Sequence, residues 1–151
     1  NYVRYRVQDP DAADDVTSDI FEKIVDNLDK FDPKKGSFST WIFTIAYNTI
    51  VDYYKKSSKI SNISLEVVGD KFSEEMNLEN KIVDKELKEE LLSVLQEISE
   101  RKKDIIGLKF WGGLTNRRIA EIKDLTESNV GVIVYRTMKQ LKSMLKERRV
   151  I

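Results

Sequence analysis

Between Leu114 and Leu141 the apolar residues fall into two helical registers separated by one tight break. Thr115 can N-cap a short helix carrying Ile119, Ala120 and Ile122. The chain must then turn at Lys123-Asp124-Leu125, and aspartate is among the few non-glycine residues that tolerate a left-handed backbone. Thr126 or Ser128 can cap a longer helix that turns Val130, Ile133, Val134, Met138 and Leu141 inward. With small Ala120 at the crossing, helix, short turn and helix make a helix-turn-helix pattern. The same pattern also suits any helical hairpin.

The rest of the chain keeps the helical period, so an all-α fold of two small helical domains joined by a flexible linker is expected. Asn1–Val7 reads as the end of a helix stopped at Asp9-Pro10, which implies that an N-terminal stretch precedes it. A long helix follows from about Asp11 to Leu28, with Val16, Ile20, Ile24 and Leu28 on one face. Phe31-Asp32-Pro33-Lys34-Lys35-Gly36-Ser37 is a turn. A second helix is expected from about Ser39 to Lys56, packing Phe38, Ile42, Ile45, Ala46, Thr49 and Tyr53 on the first. Its other face carries Trp41, Thr44, Tyr47, Asn48, Tyr54 and Lys55. Residues 1–56 thus form one module, and the polar, acidic segment 57–83 has no sustained period and reads as a linker. Residues 84–151 form the second module, where Leu87, Leu91, Leu92, Leu95 and Ile98 make one helix and Arg101–Phe110 another, ahead of the helix-turn-helix.

The 151 residues include no cysteine and no histidine. Disulfides, thiolate chemistry and every site built on imidazole are therefore excluded. No apolar run approaches the roughly 20 residues a membrane span needs, and no charged-then-apolar signal stretch opens the sequence; a cytoplasmic location is the expectation. The formal net charge is zero, but it is unevenly divided: −2 over residues 1–56, −2 over 57–83 and +4 over 84–151. From Arg136 to Arg149 six basic residues face one acid, Glu147. Such asymmetry suits different partners at the two ends, although a solvated helix would carry the same charges.

Two surfaces stand out in the first module. Asp15, Asp19, Glu22, Asp26 and Asp29 recur at spacings of 4, 3, 4 and 3, a single stripe of carboxylates. Like charges at this spacing repel by a few tenths of a kcal/mol per pair, so the stripe costs stability unless a basic partner covers it. The second surface is the aromatic, polar and basic face around Trp41, behind a Lys-Lys-Gly loop. That composition suits stacking on single-stranded nucleic acid, though aromatics at helical spacing are more often core.

These stretches together resemble the sigma-70 family, specifically the extracytoplasmic-function (ECF) sigma factors. Residues Asp9–Phe21 are similar to the acidic opening of sigma region 2. Phe31-Asp32-Pro33, Gly36–Asn48 and Asp52-Tyr53 look like its promoter-melting segment. Leu114-Thr115, Ile119–Ile122, Ser128–Val132 and Tyr135-Arg136 look like region 4. The resemblance implies a non-enzymatic subunit that binds core RNA polymerase, recognises the −10 and −35 promoter elements and promotes melting, without cofactor or metal. Asp14, Asp15, Ser18, Asp19 and Glu22 would dock on the clamp coiled coil of the largest polymerase subunit, and region 4 would meet the flap. Lys34, Lys35, Ser37, Phe38, Thr40, Trp41, Thr44, Asn48 and Lys55 would capture the nontemplate strand of the −10 element. Ser128, Asn129, Gly131, Val132, Tyr135 and Arg136 would face the −35 duplex, with Arg117, Arg118 and Lys139 on phosphates. Family members often carry basic residues where this chain has Gly131 and Ile133, so guanine reading would rest mainly on Arg136. Whether an anti-sigma factor binds is left open.

Two rival readings remain at this point. One is a conventional helix-turn-helix regulator that uses residues 1–56 for interaction. The other is a carboxylate-dependent hydrolase, disfavoured because the acidic stripe lacks metal-ligand spacing and any sign of a cavity.

Overall fold

The computed structural model describes residues 2–57 and 85–151. The described residues form helices and turns: α1 (Tyr2–Arg6), α2 (Pro10–Asp26), α3 (Phe38–Ser57), α4 (Lys85–Glu97), α5 (Glu100–Ile106), α6 (Asn116–Lys123) and α7 (Glu127–Glu147). A 3-10 turn, Leu28–Lys30, follows α2, and a π turn, Gly107–Trp111, follows α5. The linker expected over 57–83 lies, from residue 58 on, outside the described residues.

Local signals set most of the helix ends. Asp9 caps α2, accepting from the Asp11 N–H, and Pro10 occupies the first turn, where no intrahelical donor is missed. Ser99 caps α5, Thr115 caps α6 and Thr126 caps α7, each accepting from a backbone N–H three residues on. Asp124 takes the left-handed conformation expected of it, at φ 55° and ψ 51°, so α6 stops and α7 crosses it. The helix expected over Arg101–Phe110 is instead α5 plus the π turn, where the Gly112 N–H reaches back to the Gly107 carbonyl at 2.9 Å.

In the first module α2 packs on α3 through Val16, Ile20, Ile24, Ala46 and Ile50. Phe38 departs from the expected inward face of α3 and is 44% exposed. In the second, Leu87, Leu91 and Leu95 of α4 meet Leu141 and Leu145 of α7. Arg148 ties the end of α7 to Glu90, Ser93 and Glu97 of α4.

The modules do not stand apart. Tyr5 is fully buried in the α4–α7 core, stacked on Trp111 with ring centroids 4.1 Å apart. Its hydroxyl donates to the Lys103 carbonyl at 3.2 Å. A Cβ on Gly107 would lie 2.6 Å from the Tyr5 ring, so only glycine leaves room for it. Tyr2 sits in the other core, which joins Val16, Ile20 and Ile50 of the first module to Ile105, Leu108, Ile119 and Val130 of the second. Helix α6 packs directly on α3.

Candidate nucleic-acid interface

The turn before α3 is built by side-chain oxygens. Asp32 accepts from the Lys34 N–H at 2.9 Å and its carbonyl from the Lys35 N–H at 3.0 Å, an Asx-type turn around Pro33. Ser37 then caps α3, accepting from the Thr40 N–H at 3.1 Å and lying 2.9 Å from the Thr40 hydroxyl. This brings Phe31, Phe38 and Trp41 together, with ring centroids 5.1–5.7 Å apart. Beside them opens a cleft of about 170 Å³ lined by Lys30, Phe31, Asp32, Lys35, Gly36, Ser37, Thr40 and Trp41, and by Glu121 of α6.

Most of the residues expected to contact single-stranded DNA therefore converge. Lys35, Ser37 and Trp41 line the cleft, Lys34 and Phe38 are exposed beside it, and Asn48 and Lys55 are exposed further along α3. Thr40 departs from the expected surface set: it lines the cleft but is buried under the turn, its hydroxyl engaged by Ser37. Thr44, half-buried, donates to the Thr40 carbonyl at 2.7 Å. Tyr47 and Tyr54, expected on the open face, are both engaged. Tyr54 donates to the Arg6 carbonyl. The Tyr47 hydroxyl meets Asp104 of α5 at 3.5 Å and accepts from Lys123 of α6 at 2.7 Å.

On α7, Ser128, Asn129, Val132, Tyr135, Arg136 and Lys139 are all exposed, and Gly131 is half-buried against Asn116. Tyr135 is 68% exposed, an unusual setting for a tyrosine on a helix whose opposite face is core. Arg117 is exposed on α6, paired loosely with Glu121 at 4.0 Å, and Arg118 is half-buried.

On α2, Asp14, Asp15, Ser18, Asp19 and Glu22 are exposed on the solvent side. Sequence reasoning missed their neighbours. Phe21, Val25 and Leu28 are 63%, 70% and 52% exposed, a bare apolar strip at helical spacing beside the carboxylates. Their i, i+4, i+7 spacing was the available signal. Leu28 was instead expected on the inward face with Val16, Ile20 and Ile24.

The charged groups between the modules are tightly paired. Asp104 takes Arg6 at 3.0 Å on one carboxylate oxygen and Lys123 at 3.0 Å on the other. Arg6 also reaches Glu100 at 3.1 Å. Burial opposes the charge on Arg6, but the carboxylate of Asp104 outweighs it and holds Arg6 above its ordinary range. Burial likewise works against charged Lys123, while bonding to Tyr47 and the charge of Asp104 prevail and push it up. Glu100 is lowered on balance: burial would raise it, but Lys103 and Arg6 stabilise its anion. No cluster of metal-ligating side chains occurs among the described residues.

Comparison with known proteins agrees with this arrangement. The family model for Sigma-70 region 2 matches residues 1–60, and that for Sigma-70, region 4 matches residues 88–141. The ECF RNA polymerase sigma factor BldN of Streptomyces coelicolor is 24% identical over 95% of this chain, which spans 54% of BldN's length. RNA polymerase sigma factor SigZ of Bacillus subtilis is 28% identical, with 95% of this chain and 78% of that protein covered. The ECF RNA polymerase sigma factor SigM of Bacillus subtilis is 23% identical, with 91% and 82% covered. CnrH, solved in complex with the cytosolic domain of CnrY, shares the fold at a TM-score of 0.65 and 19% identity, with 97% of this chain and 77% of CnrH covered. With both region models matched in order on two helical modules, this chain belongs to the sigma-70 family, as a sigma factor of the ECF type.

Proposed function

We propose that this chain directs RNA polymerase to promoters by using three surfaces for three partners. The exposed face of α2, carboxylates with the Phe21–Val25–Leu28 strip alongside, docks on a basic and apolar surface of core polymerase, the clamp coiled coil. The cleft beside Trp41 captures an unstacked nontemplate base of the −10 element. Helix α7 enters the major groove of the −35 element, while the second module also meets the flap. The observation that carries this reading is the cleft. It has aromatic walls for stacking, capping hydroxyls near its floor and Lys30 and Lys35 at its rim for the backbone.

Capture of a flipped base is a binding event, so strand separation on this reading draws on contact energy and needs no catalytic residue. A solvent-exposed Tyr135 next to Arg136 fits duplex reading, with Arg136 suited to a guanine edge and Val132 to a thymine methyl. An anti-sigma partner is a natural extension, because CnrH was solved bound to the cytosolic domain of CnrY.

The test is reconstitution with core polymerase on a promoter found by transcribing a genomic library. Trp41→Ala should lower the yield of permanganate-reactive open complex by about tenfold or more, the loss of roughly one stacked base, and Asn48→Ala, which removes an exposed amide further along α3, by a smaller factor. Affinity for core polymerase should stay within about twofold, because the substituted side chains belong to α3 and the docking carboxylates to α2. An equal loss of core binding would make both residues structural and defeat the reading.

A further inference from the structure

The cleft beside Trp41 is uneven in what it offers a guest. Phe31 and Trp41 are its ring walls, and the exposed Lys30 and Lys35 stand at its rim. Its other polar side chains are the hydroxyls of Ser37 and Thr40 and the carboxylates of Asp32 and Glu121. The hydroxyls engage each other, since Ser37 accepts from the Thr40 N–H and lies 2.9 Å from the buried Thr40 hydroxyl. Glu121 is exposed and lies 4.0 Å from Arg117.

Asp32 is placed differently. Its side chain is half-buried, one carboxylate oxygen accepts from the Lys34 N–H at 2.9 Å, and the other has no partner among the described residues. The turn holds the residue from two sides, because the Asp32 carbonyl also takes the Lys35 N–H at 3.0 Å. An ionised carboxylate accepts and never donates, so whatever enters must bring the proton. Bases differ in this respect. Where cytosine carries an amino group, thymine carries a carbonyl oxygen. An amino group against Asp32 makes a charge-assisted hydrogen bond, whereas a carbonyl oxygen there faces negative charge with no proton between them.

We infer, on the reading of this cleft as the site of a captured base, that Asp32 sets its base preference by accepting from an exocyclic amino group, so that cytosine is favoured over thymine. Trp41 and Phe31 hold any base by its face. Asp32 distinguishes one base from another by its edge.

The test uses the full-length protein with core polymerase on a promoter whose −10 region is already unpaired, so that melting costs the same for every sequence. The captured position is the nontemplate position at which an abasic site costs affinity in the unsubstituted protein but little more once Trp41→Ala is present. At that position four bases are compared. Cytosine and 5-methylcytosine should bind alike. Thymine, and a cytosine lacking its amino group (2-pyrimidinone), should each bind about tenfold more weakly, the usual worth of a good edge contact. In Asp32→Asn the amide oxygen can keep the Lys34 N–H while the amide nitrogen turns a donor toward the cleft, so thymine should overtake cytosine. Glu121→Gln should leave the tenfold preference in place.

Thymine or 2-pyrimidinone binding as well as cytosine overturns the assignment, and so does a preference that moves with Glu121→Gln and not with Asp32→Asn. A position that couples to Trp41 but ignores the amino group sinks the role of Asp32 alone and leaves the proposed function standing. Absence of any position coupled to Trp41 removes both. Should circular dichroism show Asp32→Asn misfolded, the four bases on the unsubstituted protein still decide.

Discussion

At the scale of single residues, what the sequence announces is whatever depends on its immediate neighbours. Thr115 as a cap and Asp124 as the left-handed turn are set by a few adjacent backbone groups, and both are where local rules put them. Thr137 shows the opposite case. It lies on the inward face of α7, among positions that the apolar count skipped because the residue is polar, yet it is fully buried. Its hydroxyl has no hydrogen-bond partner. An unpaired buried hydroxyl costs about 1–3 kcal/mol, and valine has nearly the same shape. Thr137→Val should therefore raise the free energy of unfolding by about 1–2 kcal/mol in urea titration, on the same grounds. A loss of stability would mean the hydroxyl is satisfied in solution. Asp104 and Lys123 could not be singled out from sequence either. Each is an ordinary charged residue on its own helix, and the cluster exists only because four helices converge.

At the scale of elements, helix α2 carries two messages on one cylinder. Its inward face, Val16, Ile20 and Ile24, follows directly from the apolar period, and so does the carboxylate stripe opposite. The strip of Phe21, Val25 and Leu28 was harder to see, because once one apolar face is assigned the remaining apolar residues are absorbed as flank. Helix α3 was legible in extent but not in orientation. Its mixed aromatics give a weak pattern, and Phe38 and Tyr47 turn toward partners that sequence spacing cannot name. For α2 the expected outcome of Asp19→Lys with Glu22→Lys is loss of core polymerase in a pull-down. Both side chains are exposed, so the thermal midpoint should change little or rise slightly as like-charge repulsion along the stripe is relieved. A variant that unfolds, or that retains polymerase, would remove the docking role from this face.

At the scale of the whole molecule, two helical modules were expected from the break in period after Lys56 and its return near Asp84, and the two region models match separate stretches toward the two ends of the chain. Their mutual packing was not, because it depends on contacts such as Tyr5 with Lys103, nearly a hundred positions apart. Such contacts leave no periodic trace. The docked arrangement carries its own pH signature. Lys123 is held above the ordinary lysine range, so its share of the docking free energy is fully present below that range and is lost as the pH climbs through the raised value. The thermal midpoint of unfolding should accordingly hold through neutrality and fall only in strongly alkaline buffer. The fall should begin at lower pH when the two-oxygen bridge is weakened by Asp104→Asn. A drop near neutrality in the unsubstituted protein would place the controlling charge elsewhere.

The bare outer side of α7 has a consequence for where a resting molecule spends its time. Arg136 and Lys139 point outward there, and Arg117 stands exposed on the neighbouring α6. Cationic side chains of this kind displace condensed counterions from intact double helix whatever its sequence. On the function proposed above, molecules not yet on polymerase are to be sought scattered along the chromosome, loosely held and salt-sensitive, and recruitment becomes a transfer from that reservoir to the enzyme.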